Sequence, residues 1–167
     1  MKRTVAFWLV TLLILSGAVS ALAVPGNVQY SATRRFLEQL DEKEIDYTYT
    51  GVDSDNRERI TMKFKANDIL ISVQLFFFDD NEQCGMRVWN LIDFNASDLN
   101  EMYKVCNDLN TAYKFVSFTV DEDDNSITAS EDLIFSLSSA DEVCIEGLAR
   151  CVDVCSQAME TLKKYMK

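Results

Sequence analysis

Arg59-Ile60-Thr61-Met62-Lys63-Phe64-Lys65 is the stretch on which the fold turns. Ile60, Met62 and Phe64 alternate with cationic and hydroxyl side chains. A period of two is that of a β-strand with one dry face and one wet face. Such a strand needs partners, and the flanking sequence supplies them. Downstream, Ala66-Asn67-Asp68 turns the chain. Ile69 to Phe78 then carries apolar residues on both faces, as a central strand does. Asp79 to Gly85 reads as a polar loop, and Met86 to Ile92 as a further strand. Upstream, Asp53-Ser54-Asp55-Asn56 is a cluster of turn formers. Before it, Ile45, Tyr47 and Tyr49 alternate with polar residues as far as Gly51. Connections of hairpin length make these strands antiparallel.

Helical spacing lies on either side of this sheet. Phe36, Leu37 and Leu40 share one face of a first helix from about Tyr30, with Ser31 as an expected N-cap. After Asn95-Ala96-Ser97, a second helix carries Leu99, Met102, Cys106 and Leu109 at three-to-four spacing. Asp98 and Glu101 fall in its first turn, where the helix dipole favours negative charge. Strands Lys114 to Val120 and Ser126 to Leu133 follow, joined by Asp121-Glu122-Asp123-Asp124-Asn125. A last helix from about Ala140 buries Ile145, Leu148, Val152, Cys155, Met159 and Leu162. Ser139 and Glu142 have capping-box spacing at its start. The expected fold is α+β, an antiparallel sheet with helices packed on it, in the order α-β-β-β-β-α-β-β-α.

The N-terminus reads differently. Lys2 and Arg3 precede an apolar run from Val5 to Val19, and Ala21-Leu22-Ala23 offers small residues at Ala21 and Ala23, where a signal peptidase would cut. Residues 1–23 are thus expected to be a signal peptide, with an uncleaved membrane anchor as the alternative, and residues 24–167 to be one domain. The expected location is the cell envelope or the medium, with membrane contact through the N-terminal segment alone.

Charge and composition exclude several functions. The chain carries −11, and −13 once Lys2 and Arg3 are removed. So acidic a surface repels phosphate backbones and anionic lipids. The 167 residues include no histidine, which excludes Ser–His or Cys–His nucleophilic pairs and His-ligated zinc. No cofactor motif is present.

Asp108-Leu109-Asn110, Tyr113-Lys114-Phe115-Val116, the acidic turn, and Ile127-Thr128-Ala129-Ser130-Glu131-Asp132-Leu133 resemble the YbjN family, also called the bacterial sensory transduction regulators. The resemblance implies a fold like that of type III secretion chaperones, and it brings no catalytic motif. A signal segment departs from relatives that are cytoplasmic, as do the several cysteines in the helices.

Candidate sites are few. Cys144, Cys151 and Cys155 lie on one stripe of the last helix, with Cys106 able to meet them. They read as small core residues, against a thiolate metal site or a disulfide. Cys84, in the expected polar loop, is the candidate exposed thiol. The acidic turn has oxygens spaced like a calcium loop, but Ser126 stands where glycine is required, and a solvated hairpin turn fits better. Asp53-Ser54-Asp55-Asn56 reads the same way, and Asn95-Ala96-Ser97 as a helix cap rather than a glycosylation site. Phe76 and Phe78 mark a candidate partner surface if one sheet face is open. The expectation is a non-enzymatic protein-binding or regulatory module, exported from a bacterial cell, with an unidentified protein partner and the option of self-association. The alternative is an envelope protein that binds a small molecule or a metal.

Overall fold

The computed structural model describes residues 24–66 and 69–167. The expected signal segment, with Ala21 and Ala23, lies outside them. Among the described residues the chain forms helix α1 (Ser31–Glu42), strands β1 (Thr48–Val52), β2 (Arg57–Ala66), β3 (Ile69–Phe78) and β4 (Gln83–Asp93), helix α2 (Leu99–Ala112), strands β5 (Ser117–Asp121) and β6 (Ser126–Ile134), and helix α3 (Ala140–Leu162). Short 3-10 turns at Ala96–Asp98, Leu137–Ser139 and Lys163–Tyr165 flank the last two helices. The element order is the expected one, and the fold is α+β.

The six strands make one sheet in the order β1-β2-β3-β4-β6-β5, antiparallel throughout. The alternation in β2 sets its register: Ile60, Met62 and Phe64 are buried and face Leu75, Val73 and Ile71 of β3. Chain order is broken once. After α2 the chain runs down the far edge as β5, and β6 returns between β5 and β4. Helix α3 lies across β2, β3, β4 and β6 and packs on α1. Phe36 of α1, Phe77 of β3 and Phe135 stack in series, with ring centroids 5.4 and 6.4 Å apart. All three helices share one core with the same side of the sheet.

Local corrections have local causes. Strand β4 starts at Gln83, not Met86, because the chain reverses within Asp79–Glu82. Asn81 sits there at φ 60°, and its amide N–H bonds back to the Phe78 carbonyl at 3.2 Å. Cys84 therefore stands inside a strand, opposite Phe77 and Leu133, and is 1 % exposed rather than the accessible thiol expected. The caps also differ. Ser31 is the first residue of α1, and no side chain of its own turn caps it. The Ala32 N–H is instead accepted by Asn81 Oδ1 at 2.9 Å, from the β3–β4 turn. Neither Asn95 nor Ser139 caps its helix through a side chain; Ser139 Oγ bonds to the Ser136 carbonyl. Strand β1 begins at Thr48 because the Ile45 N–H closes the end of α1 on the Leu40 carbonyl. Gly147 lets α3 approach β6 closely: a Cβ there would stand 2.6 Å from Leu133 Cδ1.

A buried carboxylate fastens the start of the domain. Glu58, on the core side of β2, is fully buried. It accepts the Gln29 N–H at 2.6 Å, the Tyr30 N–H at 3.2 Å and the Tyr49 hydroxyl at 2.6 Å. Burial, followed by that carboxylate, raises the Tyr49 pKa, so the phenol stays a donor.

Candidate functional site on the open sheet face

With every helix on one side, the other side of the sheet has no cover among the described residues. Alternation assigns its residues. The odd positions of β2 bring Arg57, Arg59, Lys63 and Lys65 to it. The register places Phe78 opposite Arg57 and Phe76 opposite Arg59. Gly85 of β4 lies opposite Phe76, and Arg87 opposite Gln74. Trp89 follows at the same phase and is 49 % exposed. Across β2, β3 and the Gln83–Trp89 part of β4 the open face therefore holds five cations and no carboxylate; the exposed Asp93 stands at the far end of β4.

Phe76 forms the floor. The Arg57 and Arg59 guanidinium carbons lie 4.9 and 5.4 Å from its ring centroid. Such stacking holds a cation against an aromatic face by about 0.5–2 kcal/mol. Phe76 is accordingly only 7 % exposed, and a partner would meet the guanidiniums first. Phe78 is half-buried beside it. Gly85 keeps the space open: a Cβ there would stand 3.2 Å from Asp132 Oδ1 and 3.4 Å from Arg87 Nη1. These residues, with Gln74 and Trp89, line a shallow hollow of about 330 Å³.

The arginines are held from the rim. Asp53 Oδ2 pairs with Arg57 Nη2 at 2.9 Å and Arg59 Nη2 at 3.2 Å. Asp53 Oδ1 also accepts the Asp55 and Arg57 N–H groups at 2.9 and 3.0 Å. The Asp53 side chain is 9 % exposed, so this turn is not the solvated one expected. Burial alone would raise its pKa, but the hydrogen bonds from Arg57, Asp55 and Arg59 outweigh burial and bring it down to about 2. On the other flank Arg87 pairs with the exposed Asp132 at 2.7 Å. Each guanidinium has five N–H donors, and these carboxylates occupy only some of them. Arg59 Nε has no acceptor at all.

Buried polar chemistry inside the core is of another kind. Glu131, 3 % exposed, receives Arg150 Nε at 2.9 Å and a second bond from the same guanidinium. Arg150 also lies 4.9 Å from the Phe115 ring centroid, and Phe115 has φ 74° and is 73 % exposed. All five cysteines are buried and unpaired. Burial, then a hydrogen bond to Cys144, raises the Cys84 thiol pKa. Burial pushes Cys106 up to about 11, and a hydrogen bond to Cys151 followed by burial raises Cys155. A nucleophilic or metal-binding thiolate needs the opposite shift. Among the described residues no three Cys, Asp or Glu converge as metal ligands. The acidic turn closes on itself, with Asp121 Oδ1 accepting the Asp123 and Asp124 N–H groups at 3.1 and 3.3 Å.

The structure places Phe76 and Phe78, singled out from the sequence, in one hollow with Arg57, Arg59, Arg87 and Trp89, which sequence reasoning did not single out. The usable signal was cations at odd positions of β2 and β4 in an acidic chain, with Arg87 and Trp89 out of phase with the core residues Met86 and Val88.

A six-stranded antiparallel sheet with helices on one side, and on the other an arginine-rich aromatic hollow, defines a domain of the α+β class. A family model agrees on where such a domain belongs. Residues 34–164 match YbjN, described as "Putative bacterial sensory transduction regulator", and the chain belongs to that family. No curated protein matches it.

Proposed function

We propose that the chain is a non-enzymatic protein-binding module with a regulatory role, exported from a bacterial cell, and that it holds its partner on the open face of the sheet. The observation that carries this reading is the solvent-facing set of Arg57, Arg59, Arg87 and Trp89 around Phe76, on the side away from the helices. Arginine and tryptophan are the residue types that dominate binding energies at interfaces. The family description, as a regulator, supports the same reading. The hollow is at the small end of the range for a small-molecule site, which ranks that alternative second.

The test is site-specific photo-crosslinking in cells. A photoreactive residue at Trp89 should give a protein adduct, and the same residue at Lys104, exposed on α2, should not. Adducts at both positions, or at neither, would remove the face as the partner surface. Export is checked separately by mass spectrometry of the native protein. A mature chain starting at Val24 in the envelope or medium is expected, and an intact Met1 in the cytoplasm would refute export.

A further inference from the structure

The charge on the open face identifies the chemistry of what it holds. Residues 24–167 carry −13, yet around the hollow, across β2, β3 and the Gln83–Trp89 part of β4, the charged strand positions of this face are all cations. Its compensating carboxylates are Asp53 and Asp55 of the β1–β2 turn and Asp132 of the neighbouring β6, and they leave guanidinium donors over. The surface is thus rich in donors and poor in acceptors, and carboxylates are the groups that match a guanidinium bidentately. Trp89 and the half-buried Phe78 add apolar surface beside these donors.

Resting on the reading of this face as the partner surface, we propose that its occupant is an extended acidic segment of a partner protein. That segment alternates carboxylates with apolar side chains. Arg57 to Lys63 spans about 20 Å of strand at about 3.3 Å per residue, and β2 to β4 is about 10 Å across. Those dimensions fit about six residues of extended chain lying along the sheet. A folded acidic protein would be repelled by the rest of the surface, whereas a single segment meets only the cationic stripe within one Debye length of about 8 Å. An anionic membrane or a nucleic acid is too broad to avoid the acidic surroundings.

The test uses the full-length chain, with Trp8→Phe so that Trp89 is the fluorophore. The probes are a hexapeptide alternating glutamate and phenylalanine, its lysine counterpart, and a hexanucleotide. The glutamate peptide should alter Trp89 emission, and raising NaCl from about 50 to about 200 mM should weaken its binding several-fold. Arg59→Glu with Arg87→Glu should weaken it at least about tenfold, and Lys104→Glu should leave it unchanged. Equal binding of the lysine peptide or the hexanucleotide would overturn the acidic assignment. If no probe binds, a random dodecapeptide display library on the same protein decides. Selected peptides lacking excess Asp and Glu but lost with the double variant overturn the acidic assignment alone. Failure to select any peptide sensitive to the double variant overturns the reading of the face as well. Circular dichroism of the variants keeps loss of binding distinct from loss of fold.

Discussion

Asp53 meets two arginines and two backbone N–H groups at once, and this makes it the residue that fixes the hollow's rim. Its carboxyl titrates at about 2, against an ordinary 3.8. A depressed pKa contributes stability that is complete above the unfolded value and is lost as pH falls through the folded one. The stabilisation should therefore persist at neutral pH and drain away between about 4 and about 2. Asp53→Asn should cost about 1–3 kcal/mol at about pH 7 and should flatten the acid decline. Urea melts at stepped pH check both. A variant with an unchanged acid limb would show that Asp53 is not the group responsible. Arg87 should tolerate substitution far better than Asp53, because its carboxylate partner Asp132 is exposed.

Among the elements, α3 is the one whose loss the fold bears least. It supplies the largest share of helix contact with the sheet, through a stripe that includes the fully buried Leu162 and the nearly buried Leu148. Leu148→Ala or Leu162→Ala should each lower stability by about 2–5 kcal/mol, through lost transfer energy and the cavity left behind. Arg150→Met should cost about 3–5 kcal/mol for a different reason. It leaves Glu131 charged inside the core with no cation, and Glu131 Oε2 already lacks a hydrogen bond. Replacing both members by apolar residues should recover much of that loss, so a double-mutant cycle by chemical denaturation separates ion pairing from desolvation. The β5–β6 turn should contribute little. Asp121 already satisfies the turn's N–H groups, so thermal melts in calcium and in chelator should coincide.

For the whole molecule, burial of the thiols gives a readout of integrity. The five cysteines lie in β4, α2 and α3, all packed into one core. A thiol reagent should modify none of them quickly in the native protein and all five on denaturation, at a rate set by opening of the core. Rapid single labelling at Cys84 would show that the β3–β4 turn opens alone. This distribution was only partly legible in the sequence. The clean alternation of Ile60, Met62 and Phe64 gave β2, and its neighbours followed, because burial of one face leaves a period-two trace. The start of β4 was hidden because Asp79 to Gln83 is polar throughout, although Gln83 is already paired with Ile134 in the sheet. The open side was hidden for a related reason. Strand β3 is apolar on both faces, and the arginines stacked on Phe76 do what a covering helix would otherwise do. A side chain's coverage by its neighbours across three strands is a property of register, which composition does not carry.

The Glu58 clasp also sets how the domain responds to force. Chain running in from Val24 is fixed at Gln29 and Tyr30 to a carboxylate in β2, one strand in from the sheet edge. A pull on that end is therefore delivered to the sheet before it reaches α1. Several bonds must rupture together there, the two amide contacts with Glu58 and the Tyr30 hydroxyl on the Asn56 carbonyl at 2.8 Å. The clasp shields α1 from being peeled away one turn at a time. In a single-molecule stretching experiment through the N-terminal end, Glu58→Gln should lower the first rupture force and let α1 unravel before the strands. The domain would then keep its arginine-lined face under load only as long as one buried carboxylate holds.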